Sequence, residues 1–218
     1  MRKAGLLQET QRHRMLETSG IDALQGVNLI SVDIQPEYQD YLTFDLEEYL
    51  GIINASNDVM NSLTFLYNGQ DTMDMVSEGE YRMWLLENGL DEDVLMYAKF
   101  YDKGYAFFRY CMDEGIDDDD VVALVKFMVT NNINDSREMN TDMWNKFMAI
   151  ADTDYQETRD LMENSDDMLN IPELMDYLQN YGGKLMLTGG GINQCLKEVE
   201  IALMALDKPY NVFTKYTY

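Results

Sequence analysis

The chain is poor in several residue types whose scarcity narrows its chemistry. Its 218 residues include one histidine, two cysteines and three prolines. The histidine, His13, lies in a polar N-terminal stretch. That argues against zinc sites built on several histidines and against a Cys–His or Ser–His catalytic pair. Cys111 and Cys195 lie far apart and outside any metal-ligand spacing. A disulfide framework is therefore not expected, and a reducing, cytoplasmic setting is the simpler assumption. No run approaches the roughly 20 apolar residues of a membrane helix. Residues 1–26 carry Arg2, Lys3, Arg12 and Arg14 without the apolar stretch of a secretory signal, and their pattern predicts a helical N-terminal segment. Basic residues are also scarce, 16 against 40 acidic, for a formal net charge of −24. Such a field repels phosphate backbones and disfavours nucleic-acid binding. A soluble acidic surface accounts for the charge, with an imitation of DNA's charge as a minor alternative.

What the chain does have is core material. The hydrophobic fraction is 46%, enough for one large domain. Asn28-Leu29-Ile30-Ser31-Val32-Asp33 reads as a buried strand ending in a carboxylate, with Pro36 soon after. Helical spacing over Phe44 to Ser56 leads to a second apolar run, Leu63 to Tyr67, which ends at Asn68-Gly69. Glu78 to Glu87 predicts a helix. Val94 to Tyr101 satisfies either period, and Tyr105 to Met112 opens as a helix.

Asp117 to Asp120 reads as the acidic first turn of another helix, where carboxylates complement the helix dipole; this structural reading outranks a metal site. Thr141 to Ile150 adds a helix, and Thr153 to Asn170 is polar and acidic and reads as a helix plus loop. The region 115–170 thus forms an acidic helical insertion. Beyond it, Pro172 opens a helix that Gly182-Gly183 stops. A strand over Lys184 to Thr188, the turn Gly189-Gly190-Gly191, a helix from about Asn193 to Leu206 and a strand over Tyr210 to Thr214 make a βαβ unit. The expectation is a single three-layer α/β domain over 27–214, with a mostly parallel sheet and helices on both faces.

Ligands in open α/β sheets bind beyond the carboxyl ends of the strands. Asp33, Cys195 and either Lys99 or Lys103 are the chemically capable residues predicted to reach that edge. A helix N-terminus at Cys195 would lower its thiol pKa. The glycine turn is compatible with an anion cradle and equally with a plain positive-φ turn.

Ser31-Val32-Asp33-Ile34-Gln35-Pro36-Glu37-Tyr38 resembles the opening strand of the isochorismatase-like cysteine hydrolases. Leu187-Thr188-Gly189 followed by Cys195-Leu196 resembles that family's second signature, in which a strand-end glycine precedes the nucleophile by six residues. Lys103-Gly104-Tyr105-Ala106-Phe107 is loosely similar to the segment holding the family's lysine, with Lys99 as a rival.

The resemblance covers roughly 27–114 and 171–214. It implies Cys195 as nucleophile, Asp33 as its base and Lys103 as the cation that favours the thiolate. It also implies an oxyanion and substrate subsite at Gly190, Gly191, Ile192 and Gln35, shaped by a cis peptide at Gly190-Gly191 or Gly191-Ile192. A carboxylate base suits a cysteine with no histidine beside it. The implied activity is metal- and cofactor-independent hydrolysis of a small amide or ester-like substrate.

Gly191 and Ile192 replace the family's usual Ala-Thr, and Val199 stands where a threonine is usual. These departures, with the acidic insertion, keep open a non-catalytic binding or interaction protein on the same fold, including a homo-oligomer. A PIN-like metal nuclease using Asp33, Asp71 and Asp74 is a further alternative.

Overall fold

The computed structural model describes residues 13–16, 27–32, 34, 36–56, 62–67, 76–103, 115–133, 138–151 and 173–218. Six strands form one sheet: β1 His13–Leu16, β2 Val27–Val32, β3 Ser62–Tyr67, β4 Lys99–Asp102, β5 Lys184–Gly189 and β6 Tyr210–Phe213. Their spatial order is β1-β6-β5-β2-β3-β4, and every neighbouring pair is parallel. All carboxyl ends therefore share one edge. The order runs outward from β2 through β3 to β4 and, on the other side, from β5 to β6. The reversal falls between β2 and β5, which makes their ends the switch point of the sheet.

Period-two alternation sends successive strand residues to two separate cores. Ile30, Val32, Leu66, Leu185, Leu187 and Val212 face the first. Leu29, Leu63, Phe65, Met186 and Phe213 face the second. The second core is closed by α1 Leu46–Ser56, α2 Glu78–Glu87 and α3 Glu92–Tyr97. The first is closed by α4 Asp118–Thr130, α5 Thr141–Ala151, α6 Glu173–Asn180 and α7 Cys195–Ala205. With helices on both faces, the chain has the expected three-layer α/β fold. All six residues of β2 are buried, as a central strand of a doubly covered parallel sheet requires. The acidic segment inserted between β4 and β5 contributes to this packing: Val121, Leu124, Val125 and Met128 of α4 join the same core as Val199 and Ala202 of α7.

Local chemistry explains the helix boundaries. Ser77 and Glu80 close a capping box at the start of α2: the Ser77 hydroxyl accepts from the Glu80 amide at 3.3 Å, and the Ser77 amide donates to the Glu80 carboxylate at 2.9 Å. Asp118, Asp119 and Asp120 occupy the first turn of α4, the structural place expected for them.

One expectation changes and one ambiguity resolves. Within the N-terminal segment predicted as helical, His13–Leu16 is a strand, paired in register with Tyr210–Phe213. The outer edge of β6 presents unpaired amides and carbonyls, and a parallel strand satisfies them. The ambiguous stretch around 94–101 divides into both structures: α3 ends at Tyr97, and β4 begins at Lys99. The helices expected at 105–112 and within 153–170 lie outside the described residues. Among the described residues, no helix is long and apolar enough to cross a membrane.

Candidate functional site at the sheet switch point

The register places Val32, the last residue of β2, opposite Gly189, the last of β5. Gly189 has φ +75° and Gly190 φ +51°, conformations that side-chain-bearing residues rarely adopt. A Cβ on Gly189 would stand 2.5 Å from the Val32 carbonyl oxygen. One on Gly190 would stand 3.3 Å from the same oxygen and 3.5 Å from Cys195 Cβ. The glycines thus let the β5 turn close on the end of β2, and that closure seats Cys195 beside both. Cys195 opens α7 and is 4% exposed.

Lys103 follows β4 immediately, and its amide donates to the Tyr67 carbonyl at 3.1 Å, which prolongs the strand pairing at the carboxyl edge. Its side chain runs inward. Nζ lies 3.4 Å from Glu198 Oε2, and both side chains are 2% exposed. Glu198 is three residues beyond Cys195, hence on the same face of α7. The structure therefore joins Lys103 to Glu198, one helical turn along from Cys195, while the glycine turn joins Cys195 to the end of β2. Lys99, the rival cation, starts β4 at the opposite edge, where its ammonium lies 4.5 Å from the centre of the Tyr177 ring. Asp33 and Gln35 lie outside the described residues, although the chain must leave β2 through Asp33.

The subsite implied around residues 190–192 is built differently. The peptides of the glycine turn are trans, as are all those among the described residues. The Ile192 amide donates to the main-chain oxygen of Tyr218 at 2.6 Å, and the Tyr218 amide donates to the Gly190 carbonyl at 3.0 Å. Ile192 therefore has no amide to offer an oxyanion while Tyr218 is seated there. The Gly191 carbonyl accepts from the Gln194 and Leu196 amides at 3.1 and 3.0 Å, which locks the turn to the first turn of α7.

The segment around Tyr218 is pinned along its length. The Thr188 hydroxyl donates to the Tyr216 carbonyl at 3.1 Å, and Thr43 donates to that of Thr217 at 3.3 Å. A cavity of about 570 Å³ opens between this segment, Tyr41, Thr43 and residues 191–194. Cys195 and Lys103 do not line it.

Sequence reasoning missed Glu198 and Tyr218. The structure explains Glu198: only Lys197, Glu200 and Met204 of α7 keep partial exposure, a stripe at helical spacing. A charge at 198 falls outside that stripe and must point inward. Nothing local marks Tyr218, because its partners are about 30 residues earlier.

Among the described residues, no group of three or more His, Cys, Asp or Glu side chains is placed to hold a metal ion. Asp71 and Asp74, the other carboxylates of the nuclease reading, lie outside the described residues. Compared with known proteins, the chain matches no family model, no curated protein and no solved structure.

Proposed function

We propose that the protein is a metal-independent cysteine hydrolase of the isochorismatase-like type, acting on a small amide or ester-like substrate. One observation carries the reading: the buried Lys103–Glu198 pair sits on the helical turn that begins with Cys195, at the carboxyl edge of the sheet. Buried charges are rare and costly, so a lysine drawn into this position calls for a role. An ammonium in a low-dielectric setting favours a thiolate beside it, and the Glu198 carboxylate on the same helix face opposes part of that effect.

In this reaction Asp33, the residue after Val32, accepts the Cys195 proton. The thiolate attacks the substrate carbonyl, and the C–N or C–O bond breaks as the leaving group takes that proton from Asp33. Water, deprotonated by the same carboxylate, then cleaves the thioester and restores the thiol. Lys103 holds the sulfur as an anion, and Glu198 holds Lys103.

The test is a burst experiment with p-nitrophenyl acetate and a panel of small primary amides. Stoichiometric acylation that vanishes in Cys195→Ser and slows in Asp33→Asn and Lys103→Met is the expected result. Absence of acylation, or acylation indifferent to Cys195→Ser, sinks the proposal.

A second reading has its own support. The Ile192 amide is taken by Tyr218, and the thiol does not line the neighbouring cavity. These features favour a protein that binds a small molecule on this fold without turning it over. Saturable ligand binding that leaves Cys195 unmodified and survives Cys195→Ser distinguishes it. A cytoplasmic setting and partners other than nucleic acid go with either reading, on the strength of the −24 charge and the absence of a cysteine framework.

A further inference from the structure

At the opposite side of the first helix layer, a second cavity of about 530 Å³ opens between β4 and α6. Its walls follow from two periodicities. Lys99 and Tyr101 are alternate residues of β4 and share one sheet face. Glu173, Asp176, Tyr177 and Tyr181 recur at helical spacing and share one stripe reaching from α6 into the residue after it.

The tyrosines form a set. Tyr101 and Tyr177 stack with ring centres 4.8 Å apart, and Tyr181 lies 5.8 Å from Tyr177 at a tilt. The Tyr177 ring is held from behind: its hydroxyl accepts from the Asn28 side chain and lies 3.2 Å from the Thr64 hydroxyl. Burial raises the Tyr101 pKa, and the neighbouring Tyr177 and Glu173 add to the rise, so the phenol stays neutral. Neither the Glu173 nor the Asp176 carboxylate makes an ion pair among the described residues. One cation already rests here: the Lys99 ammonium, 4.5 Å from the centre of the Tyr177 ring.

The geometry points to a binding site for a small organic cation, one with a guanidinium or alkylammonium head. Aromatic faces attract such heads through the ring quadrupole, and Tyr faces arranged around a cavity do so repeatedly. The two carboxylates supply the counter-charge. A guanidinium matches them better than a tetraalkylammonium, because its planar fork donates hydrogen bonds as well as stacking. Lys99 is a tethered occupant of the same ring face and competes with a free ligand. The −24 field of the chain draws cations toward the surface but cannot discriminate among them; the tyrosines and the two carboxylates lining the cavity do. This site is independent of the cysteine chemistry at the switch point.

The experiment titrates the protein with methylguanidinium and with tetramethylammonium at about 0.15 M salt, which screens the general field over about 8 Å. Calorimetry gives the affinities, and the tyrosine ring resonances report the place. Saturable binding, tighter for methylguanidinium, is expected. Glu173→Gln combined with Asp176→Asn should weaken it by about tenfold or more, whereas Glu47→Gln with Glu92→Gln, elsewhere on the surface, should not. Lys99→Gln should tighten it. All of these substitutions are at exposed positions, so folding is not at stake. Lack of saturation, equal losses in both carboxylate pairs, or weaker binding in Lys99→Gln each overturns the inference; the last would mean that the lysine serves an anion.

Discussion

Lys103 Nζ and Glu198 Oε2 are 3.4 Å apart inside the protein, joining the end of β4 to the first turns of α7. Both groups surrender their hydration to meet, so the pair is stable only as a pair. Lys103→Met or Glu198→Leu alone should cost about 3–5 kcal/mol, because each strands a buried charge. The double substitution should return close to the parent. Urea midpoints of the four proteins check this, and singles that unfold like the parent would contradict the burial.

Glycines at two positions should respond to alanine in opposite directions. At Gly189 the positive φ and a Cβ 2.5 Å from the Val32 oxygen leave no room, so Gly189→Ala should cost at least about 2 kcal/mol. Gly51 lies inside α1 with nothing within 4 Å of a new Cβ. Gly51→Ala should gain about 0.5–1 kcal/mol from helix propensity. Thermal unfolding of the two variants measures both.

Thr188 fastens the segment that ends at Tyr218 through its bond to the Tyr216 carbonyl. Thr188→Val keeps the shape but removes the donor, for about 1–2 kcal/mol. Local opening of that segment should expose the glycine turn and speed alkylation of Cys195 by iodoacetamide. An unchanged rate would show that the segment does not shield the thiol.

Glu48 accepts from Lys215 at 2.6 Å and from the Tyr216 hydroxyl at 3.1 Å, and these hydrogen bonds hold its carboxyl below the ordinary value of 4.5. A depressed folded-state pKa gives stability that is present above the unfolded value and lost as pH falls through the folded one. The same contacts raise the Lys215 pKa, so its share is present below 10.5 and lost as pH rises beyond it. Glu48→Gln should therefore flatten the melting temperature both below about pH 4.5 and above about pH 10.5, leaving the interval between parallel to the parent. The pair is exposed, so the effect is small and should shrink further in high salt.

Removing the cap at Ser77 isolates a purely local term. Ser77→Ala loses the hydroxyl that accepts from the Glu80 amide and should cost about 1 kcal/mol in urea unfolding.

Much of the architecture was legible in the chain itself. Short apolar runs in 27–32 and 184–188, helical spacing in 44–56 and 118–130, and Gly189-Gly190 as a turn all arise from interactions within a few residues. Such patterns determine which elements form and which faces they bury. They also carry Cys195 to the start of a helix after a strand, because that placement needs only the local βαβ order.

Tertiary structure decided what local patterns could not. His13–Leu16 is a strand because the edge of β6 offers it partners some 200 residues away. Lys103 rather than Lys99 stands at the carboxyl edge because β3–β4 register sends one to that edge and the other to the opposite end. Glu198 became the partner of that lysine, and Tyr218 took the Ile192 amide, through contacts between segments far apart in sequence. Desolvated charges and unpaired amides are satisfied by whatever the fold brings near, and their partners are therefore properties of packing.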